Sequence, residues 1–190
     1  MKCPVCKTVV LEREDVADGP ATHACSGCGG KYIKSSQYFQ WLDKHGENVP
    51  EQPPEAGASL PVADSKPGKL CPECGAFLIR HAVGKGIAFH IDRCGRCGGI
   101  WLDGNEWEIL VSRGLHDDVH MIFSEAYQTA LKQRQRSEEY RKTVTNILNG
   151  KLRQQLDETD LARLKEFHDW LVAHPASEQM YAYLMSLREL

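Results

Sequence analysis

Cys3-Pro4-Val5-Cys6 with Cys25-Ser26-Gly27-Cys28, and Cys71-Pro72-Glu73-Cys74 with Cys94-Gly95-Arg96-Cys97, account for all eight cysteines of the chain. The gap between paired knuckles is 18 residues in the first quartet and 19 in the second. Two Cys-x-x-Cys knuckles about 15–20 residues apart have the spacing of a four-thiolate zinc ribbon. Each knuckle delivers two thiolates from one tight turn, and the hairpin between them brings the second pair opposite the first. Cys3, Cys6, Cys25, Cys28, Cys71, Cys74, Cys94 and Cys97 are therefore the expected ligands of two zinc ions (Zn2+) per chain. A site filled by four thiolates has no position open to water, so both are read as structural rather than catalytic. Each ribbon is too small for a self-sufficient core, so metal binding and folding are one event.

The quartets repeat one another. Cys28-Gly29-Gly30-Lys31-Tyr32-Ile33 corresponds to Cys97-Gly98-Gly99-Ile100-Trp101-Leu102, and the same 69-residue shift sets Tyr38 on Trp107 and Trp41 on Leu110. This pattern fits duplication of one module. A disulfide framework requires an oxidising compartment, and Met1-Lys2 leads into the first knuckle with nothing that reads as a signal peptide. A redox Cys-x-x-Cys is expected once beside a βαβ pattern, not four times in pairs. An iron–sulfur cluster stays open as an alternative four-thiolate ligand. Thiols kept reduced imply the cytoplasm, and no apolar run approaches the ~18 residues of a membrane span.

Charge bears on the partner. Residues 1–45 carry six Lys/Arg against five Asp/Glu, and residues 69–104 five against three. A zinc held by four thiolates takes a further two charges from each ribbon, leaving −1 and 0. Nucleic-acid binders draw most of their affinity from phosphate neutralisation, so nucleic acid is kept as a partner but disfavoured.

Composition and periodicity divide the chain into four segments. Residues 1–45 are ribbon one; residues 46–68, with five prolines and a charge of −3, are a linker; residues 69–114 are ribbon two; residues 115–190 are helical. The fold class is thus small zinc-dependent β, two tandem four-cysteine zinc ribbons, joined to an all-α C-terminal segment. In ribbon two, Ala76–Ile79 reads as a strand, Gly84-Lys85-Gly86 as its turn and Ile87–Asp92 as the return strand. Trp101-Leu102 forms a third strand, and Asn105 caps a helix through Val111. Gly75, Gly98 and Gly99 are expected at positive φ. Ribbon one repeats this plan and ends in a helix near Ser36–His45.

Beyond Asp117, Val119, Ile122, Phe123, Ala126, Ala130 and Leu131 recur at helical spacing, as do Tyr140, Val144, Ile147 and Leu148. The polar run from Lys132 to Glu139 leaves two options, one long solvent-crossing helix or a break there and near Gly150. Asp157 caps a further helix through Leu161, Leu164, Phe167, Trp170 and Leu171, and Pro175 opens a last one. Linker composition predicts that ribbon one is a mobile body of its own, with ribbon two and the helices forming another.

Cys71-Pro72-x-Cys74-Gly75, Ile91-Asp92-x-Cys94-x-x-Cys97-Gly98-Gly99-Ile100-Trp101-Leu102-Asp103 and the trailing Glu106 resemble the transcription-factor-IIB-type zinc-ribbon family of bacterial proteins. The match covers about residues 70–110. Ribbon one looks like a degenerate copy, with Lys34 in place of Asp103, Gln37 in place of Glu106 and Tyr32 in place of Trp101. The resemblance implies zinc binding and the ribbon fold, and the family's name implies transcription.

Other constellations carry weaker readings. His116 and His120 stand four apart at a helix start, where Asp117 and Asp118 suit the N-terminus anyway. His81 and His90 lie in the hairpin and are weighed as outer-shell partners of the second metal. Lys132, Arg134, Arg136, Arg141 and Lys142 form a basic cluster interrupted by Glu138 and Glu139. Trp101 and Trp107 read either as a stacking platform or as the ribbon's core. No nucleophile triad, phosphate loop or catalytic carboxylate pair is present in the sequence, so the chain is not expected to be an enzyme. The expected role is a zinc-binding adaptor with a protein partner on the C-terminal helices and oligomerisation left open. The alternative is a nucleic-acid or RNA-polymerase-associated regulator.

Overall fold

The computed structural model of the protein describes residues 1–16, 19–45, 49–54 and 60–187. Six short strands are named β1 (Glu12–Asp15), β2 (Ala21–Ala24), β3 (Lys31–Ile33), β4 (Leu78–Gly84), β5 (Ile87–Cys94) and β6 (Ile100–Leu102). They form one antiparallel sheet in the order β1-β2-β3-β6-β5-β4. The first three belong to ribbon one and the last three to ribbon two. The two ribbons therefore join through their third strands, with Tyr32 opposite Trp101 and Ile33 opposite Ile100.

The hairpin of ribbon two turns on two residues, Lys85 and Gly86, both at positive φ (52° and 80°). This is the backbone that matches the right-handed twist of the flanking strands. β4 starts later and runs further than the sequence suggested, because the turn needs only these two residues and pairing continues up to Gly84.

Alternation along the strands divides the core in two. One face carries Ile33, Val83, Phe89, Ile91, Ile100 and Leu102 against the helices α1 (Ser35–His45), α2 (Glu106–Ser112) and α3 (Val119–Ile122). From α1, Tyr38, Trp41 and Leu42 are buried at the i, i+3, i+4 spacing of a one-sided helix. Trp107 and Leu110 do the same from α2, as the 69-residue correspondence anticipates. The other face gathers Tyr32, Trp101, Leu11 and Leu78 with the buried cysteines. Trp101 and Trp107 are both core residues, 0 % and 2 % exposed.

The expectation of a mobile ribbon one fails. The β3–β6 pairing fuses the ribbons, and the described parts of the linker are strapped to ribbon two and to the segment between α2 and α3. The Val49 amide donates to Asp117 Oδ2 at 2.8 Å, and Arg113 Nε donates to the Gln52 carbonyl at 2.9 Å. The Ser65 amide donates to Asp103 Oδ2 at 2.7 Å. Residues 46–48 and 55–59 of that linker lie outside the described residues. Asn105 does not cap α2 with its side chain: it sits in the left-handed region (φ 69°) and donates instead to the Pro61 carbonyl.

Contacts divide the chain into residues 1–132 and residues 133–190. The polar run after Lys132 does not break the helix: α4 (Glu125–Gln155) is continuous through it and through Gly150, and buries no side chain. After it come α5 (Glu158–Ala173), whose N-cap Asp157 accepts from the Asp160 amide at 2.9 Å, and α6 (Ser177–Ser186). Within the second unit α5 packs on α6. No helix among the described residues is long and apolar enough to cross a membrane.

Candidate metal centres

The four knuckles share one backbone plan. The amide of the residue after each second cysteine donates to the carbonyl of the first: Lys7 to Cys3, Gly29 to Cys25, Gly75 to Cys71 and Gly98 to Cys94, at 2.9–3.0 Å. All four of these residues have positive φ, between 64° and 72°. Glycine suits that geometry, and Lys7 is the one that bears a side chain there. The turn aims amides at sulfur, as where the Val5 and Cys6 amides lie 3.4 and 3.3 Å from Cys3 Sγ.

Cys3, Cys6, Cys25 and Cys28 bring their sulfurs within 4.8 Å of one another, and so do Cys71, Cys74, Cys94 and Cys97. The closest pairs are 3.7 and 3.8 Å apart in the first group and 3.5 and 3.4 Å in the second. Tetrahedral zinc with Zn–S bonds of about 2.3 Å sets its sulfurs about 3.8 Å apart. Disulfides would need about 2.05 Å. A four-iron cluster binds each thiolate to a different iron and spreads the four sulfurs wider than a single ion does.

Electrostatics agree with a dication. Burial works against ionising Cys25, but the Cys28 and Gly27 amides and neighbouring thiols outweigh it and bring it down to about 7. Cys94 also falls to about 7, where the amides of Cys97 and Arg96 overcome burial. Their neighbours move the other way: burial and adjacent thiols push Cys97 up to about 12. Four thiolates within 4.8 Å need a central positive charge to be ionised together.

Ribbon one contributes to the second centre through a residue that the sequence did not single out for it. Tyr32 Oη lies 3.5 Å from Cys71 Sγ and 3.6 Å from Cys97 Sγ, and donates to Glu73 Oε2 at 2.8 Å. Burial, with the sulfurs and Glu73 beside it, raises the hydroxyl far above its usual range, so it remains a donor. Trp101, its opposite number, turns its indole N–H to Asp103 Oδ1 at 2.7 Å.

Asp103 and Glu106 head a second polar cluster. Lys69, 3 % exposed, places its ammonium 2.6 Å from Asp92 and 3.1 Å from Asp103. Burial works against the charge on Asp103, but the Ser65 hydroxyl and amide, the Trp101 indole and Lys69 hold its pKa below the usual value. Glu106 goes the other way: burial, reinforced by Asp103 and Asp64, outweighs the Asp103 amide and lifts it to about 9. Asp64, Asp103 and Glu106 come within 4.8 Å, yet Asp103 is taken up by four donors and Asp64 by Arg80. A lysine already supplies the cation, so this cluster braces the linker to ribbon two.

The histidines stand apart from the sulfurs. His81 Nδ1 is at the Ile79 carbonyl and His90 Nδ1 at Asp64. His116 packs against Trp41 and Trp107, and His120 against Tyr38 and Phe39.

The family model described as transcription factor zinc-finger matches residues 2–44 and again residues 70–113. The chain carries two zinc ribbons of this family. Two four-cysteine centres in such ribbons bind two zinc ions per chain. The Lys34, Gln37 and Tyr32 departures of the first ribbon leave its membership intact. No curated protein and no solved structure matches the chain.

Proposed function

We propose that the protein is a non-catalytic zinc-binding interaction protein of the cytoplasm, whose fused ribbons are presented to a protein partner such as a component of the transcription machinery. The observation that carries this reading is an apolar strip beside the second centre. Leu70 and Phe77 pair across an isolated bridge, and Ile79 lies two residues on. They are 46 %, 75 % and 54 % exposed. Large apolar side chains left adjacent on the surface of a small domain mark an interaction site. Both zinc sites are filled by thiolates, so the metal's role here is to hold that surface in shape.

A photo-crosslinking residue at Phe77 in the zinc-loaded chain tests the reading. It should capture a discrete protein from a cell extract, and adding Leu70→Asp and Ile79→Asp beside the crosslinker should abolish capture while leaving two zinc ions bound. Crosslinking to nothing beyond background sinks it.

A second reading, contact with nucleic acid, draws support from Arg93 and Arg96, which line a depression with Ile79 and His81. Arg93 also lies over the Phe123 ring at 5.4 Å. Titration against generic DNA and RNA separates the two: affinity that falls steeply with salt favours this second reading.

A further inference from the structure

We propose that residues 133–187 form a homodimerisation unit, in which the distal half of α4 from one copy lies along α5 and α6 of a second. This deepens the reading of the C-terminal helices as a contact surface, but is independent of what the ribbons meet.

The first ground is uncovered apolar surface. Thirteen large apolar side chains between Tyr140 and Leu187 are at least 37 % exposed, among them Ile147, Leu148, Phe167, Trp170 and Leu184. Among the described residues of this unit, Leu171 is the one large apolar side chain that is buried. Their own chain leaves these faces open: α4 and α6 bury no residue. Together they offer apolar area of the order of the ~800 Å² that each partner brings to a standard interface.

The second ground is charge, and it names the occupant. From Arg134 to Arg153, α4 carries six Lys/Arg against two Glu, a surplus of +4. From Asp157 to Leu187 the chain carries two Lys/Arg against six Asp/Glu, a surplus of −4. At 100° per residue, Arg134, Arg141 and Lys151 fall on the same side of α4 as the stripe of Tyr140, Val144, Ile147, Leu148 and Leu152. Whatever covers the stripe therefore meets those cations. A partner with exposed apolar surface and an acidic surplus is required, and α5–α6 of another copy has both. A two-fold arrangement makes the contact twice, α4 on the partner's α5–α6 and the reverse. Pairing α4 with α4 would oppose like charges along its length.

Sedimentation equilibrium of the zinc-loaded full chain, with helical circular dichroism in parallel, tests this. The wild-type protein should weigh twice the 21.4 kDa chain. Reversing the stripe-side cations of α4 (Arg134→Glu, Arg141→Glu, Lys151→Glu) should give a monomer. Reversing α5–α6 (Asp160→Lys, Glu166→Lys, Asp169→Lys, Glu178→Lys) should do the same. Mixing the two variants should restore a dimer, because each reversed face then meets a complementary one. That rescue cannot come from misfolded chains. A monomeric wild-type chain overturns the proposal, as do reversed variants that each remain dimeric. A mixture that stays monomeric while both variants keep their helicity overturns it too.

Discussion

The Tyr32 hydroxyl of the first ribbon lies 3.6 Å from the Cys97 sulfur of the second. The same oxygen is 3.5 Å from Cys71 Sγ and donates to Glu73. Its proton thus sits where a carboxylate and two metal-bound thiolates concentrate negative charge. Tyr32→Phe removes that donor and leaves Glu73 facing the sulfurs. Outer-shell partners of a metal site typically carry about 10–100-fold in affinity, so the second zinc should be lost to a chelator at about tenfold lower concentration. The first zinc should be unaffected. NMR of cadmium-substituted protein resolves the two centres, and perturbation of both resonances alike would contradict the assignment.

The aromatics at this junction explain the second glycine of each Gly-Gly pair. Gly29 and Gly98 have positive φ, but Gly30 and Gly99 do not. A Cβ on Gly99 would lie 1.9 Å from Tyr32 Oη, and one on Gly30 would lie 2.3 Å from Trp101 Cζ2. Each ribbon's aromatic covers the other's glycine, and both rings are 0 % exposed with nowhere to retreat. Gly99→Ala and Gly30→Ala should each destabilise the zinc-loaded chain by about 3 kcal/mol, the scale of overpacking a rigid core. Gly150→Ala, on an open face of α4, serves as the control and should be neutral or gain up to about 1 kcal/mol. Denaturant melts of the three variants decide it.

What the sequence made legible was whatever has a local signature. Cysteine spacing located both centres, Asp157 marked the start of α5, and the 69-residue repeat placed α1 and α2 on equivalent apolar faces. The junction had no such signature. β3 and β6 are three residues each, too short for periodicity to specify a partner, and their pairing spans nearly seventy residues. The linker misled because composition reports what a segment cannot bury, not what it can bond. Ser65, Pro61 and Gln52 are held by hydrogen bonds to Asp103, Asn105 and Arg113, which apolar content does not record. Gly30 and Gly99 sit at the close approach, but their doubled glycines read in the sequence only as turn residues.

Fusion of the ribbons changes what loss of one metal does. Ile33 and Tyr38 from ribbon one share a core with Ile100, Leu102 and Trp107 from ribbon two, and β6 is the only described neighbour of β3 besides β2. A structural zinc contributes on the order of 10 kcal/mol to what it folds. Cys97→Ser should therefore unfold residues 1–132 as a whole, while α5 and α6 keep their amide protection. Hydrogen exchange read by mass spectrometry gives the answer peptide by peptide. Retained protection in β1 and β2 would show instead that the ribbons fold independently.

Glu106 makes stability depend on pH in a direction opposite to that of most carboxylates. It is 1 % exposed, its Oε2 accepts from the Asp103 amide at 2.8 Å, and its Oε1 has no hydrogen-bond partner among the described residues. Burial and the nearby carboxylates raise it to about 9, against about 4.3 in an unfolded chain. Between those values the folded protein holds a proton that the unfolded one has released. This contribution is complete below the unfolded value and is lost as pH rises toward the folded one, by up to about 1.4 kcal/mol per pH unit. Glu106→Gln keeps the acceptor for the Asp103 amide and has no proton to lose. Zinc binding itself responds to pH, so the variant is compared with the parent under identical loading. From pH 6 to 9 the variant should gain on the wild type by about 1 kcal/mol per unit in urea melts. Parallel stability curves would mean that Glu106 is ionised in the folded chain, and the neutral-acid assignment would fall.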